Sequence, residues 1–134
     1  MNVFTYGSLM YDRVWSRVVT GHYARQNGVV QGFQRLRVKN EQYPGLIKGK
    51  GHVEGVVYFD VSAEDMTRLD QFEGELYQRK VVEVVCDNGR GVTASVYVIR
   101  DLFRERLDGE WSIAEFEQNG LAEFEAKYVG FERM

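Results

Sequence analysis

The sequence predicts an α+β fold with a largely antiparallel sheet and flanking helices. Three observations lead there. Several stretches rich in β-branched and aromatic residues alternate at period two. Three other stretches carry helical spacing or helix caps. The two kinds of stretch do not alternate as regular βαβ units, which argues against a doubly wound parallel sheet. At 134 residues and 44% hydrophobic content, the chain has the size and apolar material of one packed domain. It holds a single proline and no low-complexity tract, so residues 1–134 read as one domain without a linker.

Taken in order, Asn2 to Tyr6 reads as a buried strand entering a Gly-Ser turn. Tyr11 to Val19 is a short helix with Val14, Trp15 and Val18 on one side. Gly28 to Val38 is a strand interrupted at Gly32. Asn40 to Gly51 reads as a loop with a brief strand near Leu46 and Ile47. In the strand from His52 to Val61, Val53, Gly55, Val57 and Phe59 oppose His52, Glu54, Val56 and Tyr58. Ser62 is a good N-cap, with Glu64 and Asp65 in the first turn that follows. That helix should run to Phe72 or Glu73 and stop at Gly74. Gln78 to Asp87 and Gly91 to Arg100 form a hairpin around Asn88-Gly89. Ser112 to Glu115 has the capping-box pattern, and a helix should follow to about Tyr128.

Several function classes are disfavoured. No apolar run approaches the roughly 20 residues that span a bilayer, and the amino terminus lacks the pattern of a signal peptide. The lone Cys86 has no internal disulfide partner, which fits a reduced, cytoplasmic setting. A net charge of −3 argues against nucleic acid. Residues 25–50 carry six basic side chains against Glu41, while the segment from Asp101 onward is acidic. We read these as two solvated faces of opposite sign; an anionic partner for the basic one is the alternative. His22, His52 and Cys86 lack metal-ligand spacing. Cys86 falls in a β-rich run, which favours an inert half-buried thiol over a nucleophile.

Three segments could carry chemistry. In Phe4-Thr5-Tyr6-Gly7-Ser8-Leu9-Met10 a strand gives way to a helical pattern at a glycine. Such a junction turns backbone N–H groups toward one point and suits an anion, although a plain strand-to-helix turn reads the same way. In Leu69-Asp70-Gln71-Phe72-Glu73-Gly74, Glu73 stands at i+7 from Met66 and i+4 from Leu69. It therefore extends an apolar stripe. Pointing inward, its carboxyl would be raised toward neutrality by burial and could serve as a general base. Past the helix end it would face water, and periodicity alone leaves both orientations open. In the third segment, Tyr77 could bring a hydroxyl to a site and Arg79 could pair with an acid, or both could simply open a strand.

Together these segments resemble the γ-glutamylcyclotransferase-like family, including its plant avirulence-induced branch. The resemblance begins at Val3-Phe4-Thr5-Tyr6-Gly7-Ser8-Leu9 and continues in order through Tyr43-Pro44-Gly45-Leu46-Ile47 and Val53-Glu54-Gly55-Val56-Val57-Tyr58. It goes on through Leu69 to Gly74, Tyr77-Gln78-Arg79, Val96-Tyr97-Val98 and Gly109-Glu110-Trp111. Each motif is modest; their order along nearly the whole chain is specific. The resemblance implies a small mixed, largely antiparallel β-barrel of about six strands with flanking helices. It implies a γ-glutamyl small-molecule substrate, no cofactor, and release of 5-oxoproline with Glu73 as general acid and base. Tyr6, Gly7, Ser8, Leu9 and Met10 match the substrate-clamping loop, and Tyr77 matches a tyrosine near the pocket. Gln71 departs from many members, which carry an acid there. A binding or stress-response module built on the same pocket, and removal of γ-glutamyl from a carrier protein, are the competing readings.

Overall fold

The structure is a computed structural model, described for residues 1–126. Six strands form one sheet: β1 (Val3–Thr5), β2 (Arg25–Val38), β3 (Pro44–Tyr58), β4 (Tyr77–Cys86), β5 (Gly91–Ile99) and β6 (Leu107–Glu110). Their order is β3-β1-β5-β4-β2-β6, and β3 also pairs with β2. Five strands thus close a barrel, and β6 extends it by pairing with the far end of β2. Only the β1–β5 pair is parallel; the other pairings are antiparallel.

Alternation along the strands divides the apolar residues into two layers. Phe4, Val53, Val57, Val96 and Val98 fill the barrel interior. Their neighbours Val3, Val56, Tyr58 and Tyr97 face the helices outside, beside Trp15, Met66, Leu69 and Phe116. The helices are α1 (Asp12–Val18), α2 (Ala63–Glu73), α3 (Ile113–Glu115) and α4 (Leu121–Phe124). A π-helical turn over Phe116–Gly120 joins the last two. The expected helix end near Tyr128 lies outside the described residues.

Most local expectations hold. The Ser62 hydroxyl accepts from the Asp65 amide at 3.1 Å and starts α2. Gly74, at φ 73°, ends it in a conformation that only glycine adopts freely. Replacing Ser62 with alanine should cost about 1 kcal/mol, read as a lower midpoint in urea melts. The Asn88-Gly89 turn joins β4 to β5 as expected, and Gly32 marks a register shift in β2.

One expectation is corrected. Residues 44–51 are not a loop with a brief strand; they form the first half of β3, paired with β2 from Arg37↔Pro44 to Phe33↔Lys48. Glycines at 45, 49 and 51 hide this, because glycine lowers intrinsic strand preference. Packing demands two of them. A Cβ at Gly45 would lie 2.2 Å from Ile99, and one at Gly49 would lie 2.4 Å from Gln34.

The basic segment also differs from a wholly solvated face. Arg25 donates to the Tyr58 hydroxyl and the Met10 carbonyl. Arg35 donates to the Tyr6 and Glu54 carbonyls, and Arg37 to that of Glu41. Its lysines, Lys39, Lys48 and Lys50, are exposed. Among the described residues, no helix is long and apolar enough to cross a membrane.

Candidate active site

Strand β1 delivers the chain into a short 3-10 turn, Ser8–Met10, at the barrel's end. Gly7 begins that turn against the ring of Pro44, where a Cβ would meet Pro44 Cδ at 2.7 Å. Met10 N–H donates to the Gly7 carbonyl, which fixes the turn. Among the described residues, the N–H groups of Gly7, Ser8 and Leu9 have no backbone partner. A turn's first amides are left over by its geometry, and here three stand in sequence.

The end of α2 faces this turn. Met66 and Leu69 are buried on the helix face toward the sheet, and Glu73 continues their row. Its side chain lines a cavity together with Thr5, Tyr6, Gly7, Ser8 and Leu9. Tyr43, Pro44, Tyr77 and Tyr97 complete the other walls. Glu73 is therefore inward, the orientation that periodicity left open. Met10 is the one loop residue that does not line the cavity; it packs against the outer core. Gln71 is exposed and does not line it either.

Electrostatics single out Glu73. Burial, with a smaller contribution from the nearby Asp70 charge, raises its carboxyl from 4.5 to about 8. Asp70 is itself held in place: it accepts from the Tyr97 hydroxyl at 2.6 Å and pairs with Arg79 at 3.0 Å. Arg79 thus pairs with an acid, one of the two readings its position allowed. By contrast, no described side chain hydrogen-bonds or ion-pairs with the Glu73 carboxyl. It lines an open cavity, so its free oxygens are available to whatever enters.

The tyrosines form a neutral frame. Tyr77 donates to the Pro44 carbonyl at 2.7 Å, and Tyr6 donates to the Tyr97 carbonyl. Burial pushes Tyr6 and Tyr77 well above the usual phenol range, and burial with the Asp70 hydrogen bond does the same to Tyr97. All three stay protonated at neutral pH. They shape the wall and do not compete with Glu73 for protons.

A model of the family described as gamma-glutamyl cyclotransferase, AIG2-like, matches residues 3–115. The chain belongs to this family. AIG2-like protein C of Arabidopsis thaliana is 31% identical over 125 residues, covering 92% of this chain and 73% of that protein. Protein AIG2 C of the same plant is 32% identical over 117 residues, covering 86% and 71%. A solution structure of an Arabidopsis thaliana protein aligns with TM-score 0.75 at 30% identity, over 97% of this chain and 80% of that one. A structure named as a gamma-glutamyl cyclotransferase aligns with TM-score 0.65 at 19% identity, over 95% and 85%. At that identity the likeness shows the shared fold.

For this member of the gamma-glutamyl cyclotransferase, AIG2-like family, the cavity gathers Tyr6, Gly7, Ser8 and Leu9 from the end of β1 and its turn, and Glu73 and Tyr77 from the junction of α2 with β4. The sequence assigns no role to Tyr43, Pro44 or Tyr97. The family-like segments around Tyr43 and Tyr97 are the available signal, but nothing in them indicates a wall facing Glu73. Cys86 is buried in the barrel interior with its thiol raised by burial, and it does not line the cavity. His22 and His52 are exposed.

The contact between Gly7 and Pro44 gives a direct test of the loop. Gly7→Ala should drive the Pro44 ring away and displace the turn. Misplacement on the order of 1 Å costs up to about 100-fold in rate. We expect kcat/KM on an active γ-glutamyl substrate to fall about 10- to 100-fold, with a folded far-UV spectrum retained.

Proposed function

We propose that this protein cyclises a γ-glutamyl compound, releasing 5-oxoproline and a free amine, with Glu73 moving the proton. The observation that carries the proposal is the raised carboxyl of Glu73 lining one cavity with Gly7, Ser8 and Leu9, with neither that carboxyl nor those three amides hydrogen-bonded among the described residues. The family membership supports the same chemistry.

The substrate brings its own nucleophile. Its α-amine attacks the γ-carbonyl carbon, a carbon–nitrogen bond closes the five-membered lactam, and the bond to the leaving amine breaks. Two obstacles oppose this: the amine is protonated, and the chain prefers to be extended. The loop amides donate to the α-carboxylate and hold the curled form. Positioning of this kind recovers up to about 7–11 kcal/mol of barrier. Glu73 takes one ammonium proton and delivers it to the departing nitrogen. Of the three ammonium hydrogens, one remains on the lactam nitrogen and two leave with the amine. Acid-base transfer by a positioned group is typically worth about 10²–10⁴-fold.

A carboxyl at about 8 is roughly nine-tenths protonated at pH 7 in the free protein. The substrate's ammonium alters this on binding, because a cation beside the carboxyl favours its charged form. The base is therefore formed by the substrate that needs it. In the free enzyme the base titrates near pH 8, so kcat/KM should rise with pH and level off above about 8. A plateau already reached at pH 5 would contradict the role given to Glu73.

The test is 5-oxoproline release from γ-glutamyl amino acids, γ-glutamyl amines and glutathione. Turnover of one class by wild type, and not by folded Glu73→Gln, supports both reaction and base. A folded wild type that binds these compounds without turning any over supports a binding module instead.

A further inference from the structure

A second cavity adjoins the first and shares Ser8, Tyr43, Glu73 and Tyr77 with it. Its remaining walls are Phe72, Leu76 and Phe124. The rings are mutually braced: Tyr43 lies 6.4 Å from Tyr77 and 6.2 Å from Phe124, and Phe72 lies 6.1 Å from Phe124. The walls that are not shared differ: the first cavity alone is lined by Thr5, Tyr6, Gly7 and Leu9 of the loop, the second alone by Phe72, Leu76 and Phe124. Glu73 stands at their junction.

We infer that this second cavity holds the amine half of the substrate and selects an apolar, ring-sized amine that bears no carboxylate. The inference rests on the cyclotransferase reading and deepens it. If the loop holds the glutamyl half, the scissile bond lies beside Glu73, because Glu73 must reach both the α-amine and the leaving nitrogen. The leaving group then extends into the neighbouring cavity that shares Glu73 with the first, walled by Phe72, Leu76 and Phe124.

Two physical arguments set the selectivity. Apolar surface placed against Phe72, Leu76 and Phe124 leaves water, which favours a hydrocarbon or aryl group there. A carboxylate in the same place would sit beside Glu73, and among the described lining residues it meets no cationic side chain. Burying a second like charge without a partner is costly. γ-Glutamyl amino acids and glutathione both carry such a carboxylate on the leaving side.

The experiment compares matched pairs. γ-Glutamylbenzylamine and γ-glutamylphenylalanine share a ring and differ by the carboxylate; γ-glutamylmethylamine lacks the ring. Each is assayed for 5-oxoproline release by wild type and by Leu76→Arg. The benzylamine compound should exceed both others in kcat/KM by about tenfold or more, within the range a hydrophobic pocket provides. In Leu76→Arg the ratio of phenylalanine to benzylamine compound should rise by about tenfold, because the new cation partners the carboxylate. Equal or greater wild-type activity on γ-glutamylphenylalanine would overturn this inference while leaving the cyclotransferase reading intact. Absence of 5-oxoproline from every compound would overturn both. The wild-type comparison decides the matter even if Leu76→Arg does not fold.

Discussion

Glu73→Gln should lower 5-oxoproline release by at least about 10²–10⁴-fold and, at alkaline pH, make the protein more stable. The first effect follows from removing the only carboxyl that lines both cavities among the described residues. Glutamine keeps the shape and cannot take a proton. The second follows from the raised carboxyl. In the unfolded chain Glu73 ionises near 4.5; in the folded protein it holds its proton to about 8. Between those values the folded state binds a proton that the unfolded chain has released. Stability therefore falls as pH rises through this window, by up to about 1.4 kcal/mol per unit. Glutamine does not ionise, so the variant escapes the loss. Allowing for solvent in the open cavity, we expect a gain of about 2–4 kcal/mol at pH 8.5, fading to nothing below about pH 4.5. Urea melts at the two pH values measure it. A variant equally stable at both, relative to wild type, would mean that Glu73 is not held in an environment hostile to its charge.

The second large effect concerns Gly55. This glycine faces the barrel interior between Val53 and Val57, opposite the end of β1. A Cβ there would lie 2.1 Å from the Thr5 carbonyl oxygen and 2.7 Å from the Phe4 ring. The first of these is backbone and cannot rotate away. Gly55→Ala must push β1 off β3, and β1 is the strand that joins β3 to β5 and so closes the barrel. Overpacking a core typically costs about 1–3 kcal/mol, and displacement of a closing strand belongs at the top of that range or above it. We expect a loss of about 3 kcal/mol in urea melts. Because Thr5 runs directly into Tyr6 and Gly7, activity should fall even at temperatures where the variant remains folded. A melting midpoint unchanged within about 0.5 kcal/mol would show that β1 and β3 are more loosely packed than their contacts indicate.

Local chemistry made some of this legible in the sequence. The Ser62 cap, the Gly74 stop and the Asn88-Gly89 turn each rest on a few adjacent residues. The expected elements around them are found. The alternation in β3 likewise separates Val53 and Val57 from Val56 and Tyr58, as read. What was hidden depends on partners far away in the chain. The first half of β3 is glycine-rich, and only its pairing with β2 and the crowding of Ile99 against Gly45 make it a strand. β6 is four residues long and is held by Leu36 and Val38 of β2. The same division applies to the cavity. Glu73 could be suspected from its place in the row Met66, Leu69, Glu73. Tyr97 could not: it reaches the cavity from β5, and its hydroxyl is fixed by Asp70, 27 positions earlier.

The most direct test of the central claim is product analysis in water enriched with oxygen-18, using whichever γ-glutamyl compound the panel shows to be active. Attack by the substrate's own α-amine involves no water. The account predicts 5-oxoproline without the heavy isotope, in amounts equal to the amine released. Free glutamate carrying one oxygen-18 atom as the first product would contradict it, because water would then be the nucleophile and the curled conformer would have no part in the reaction.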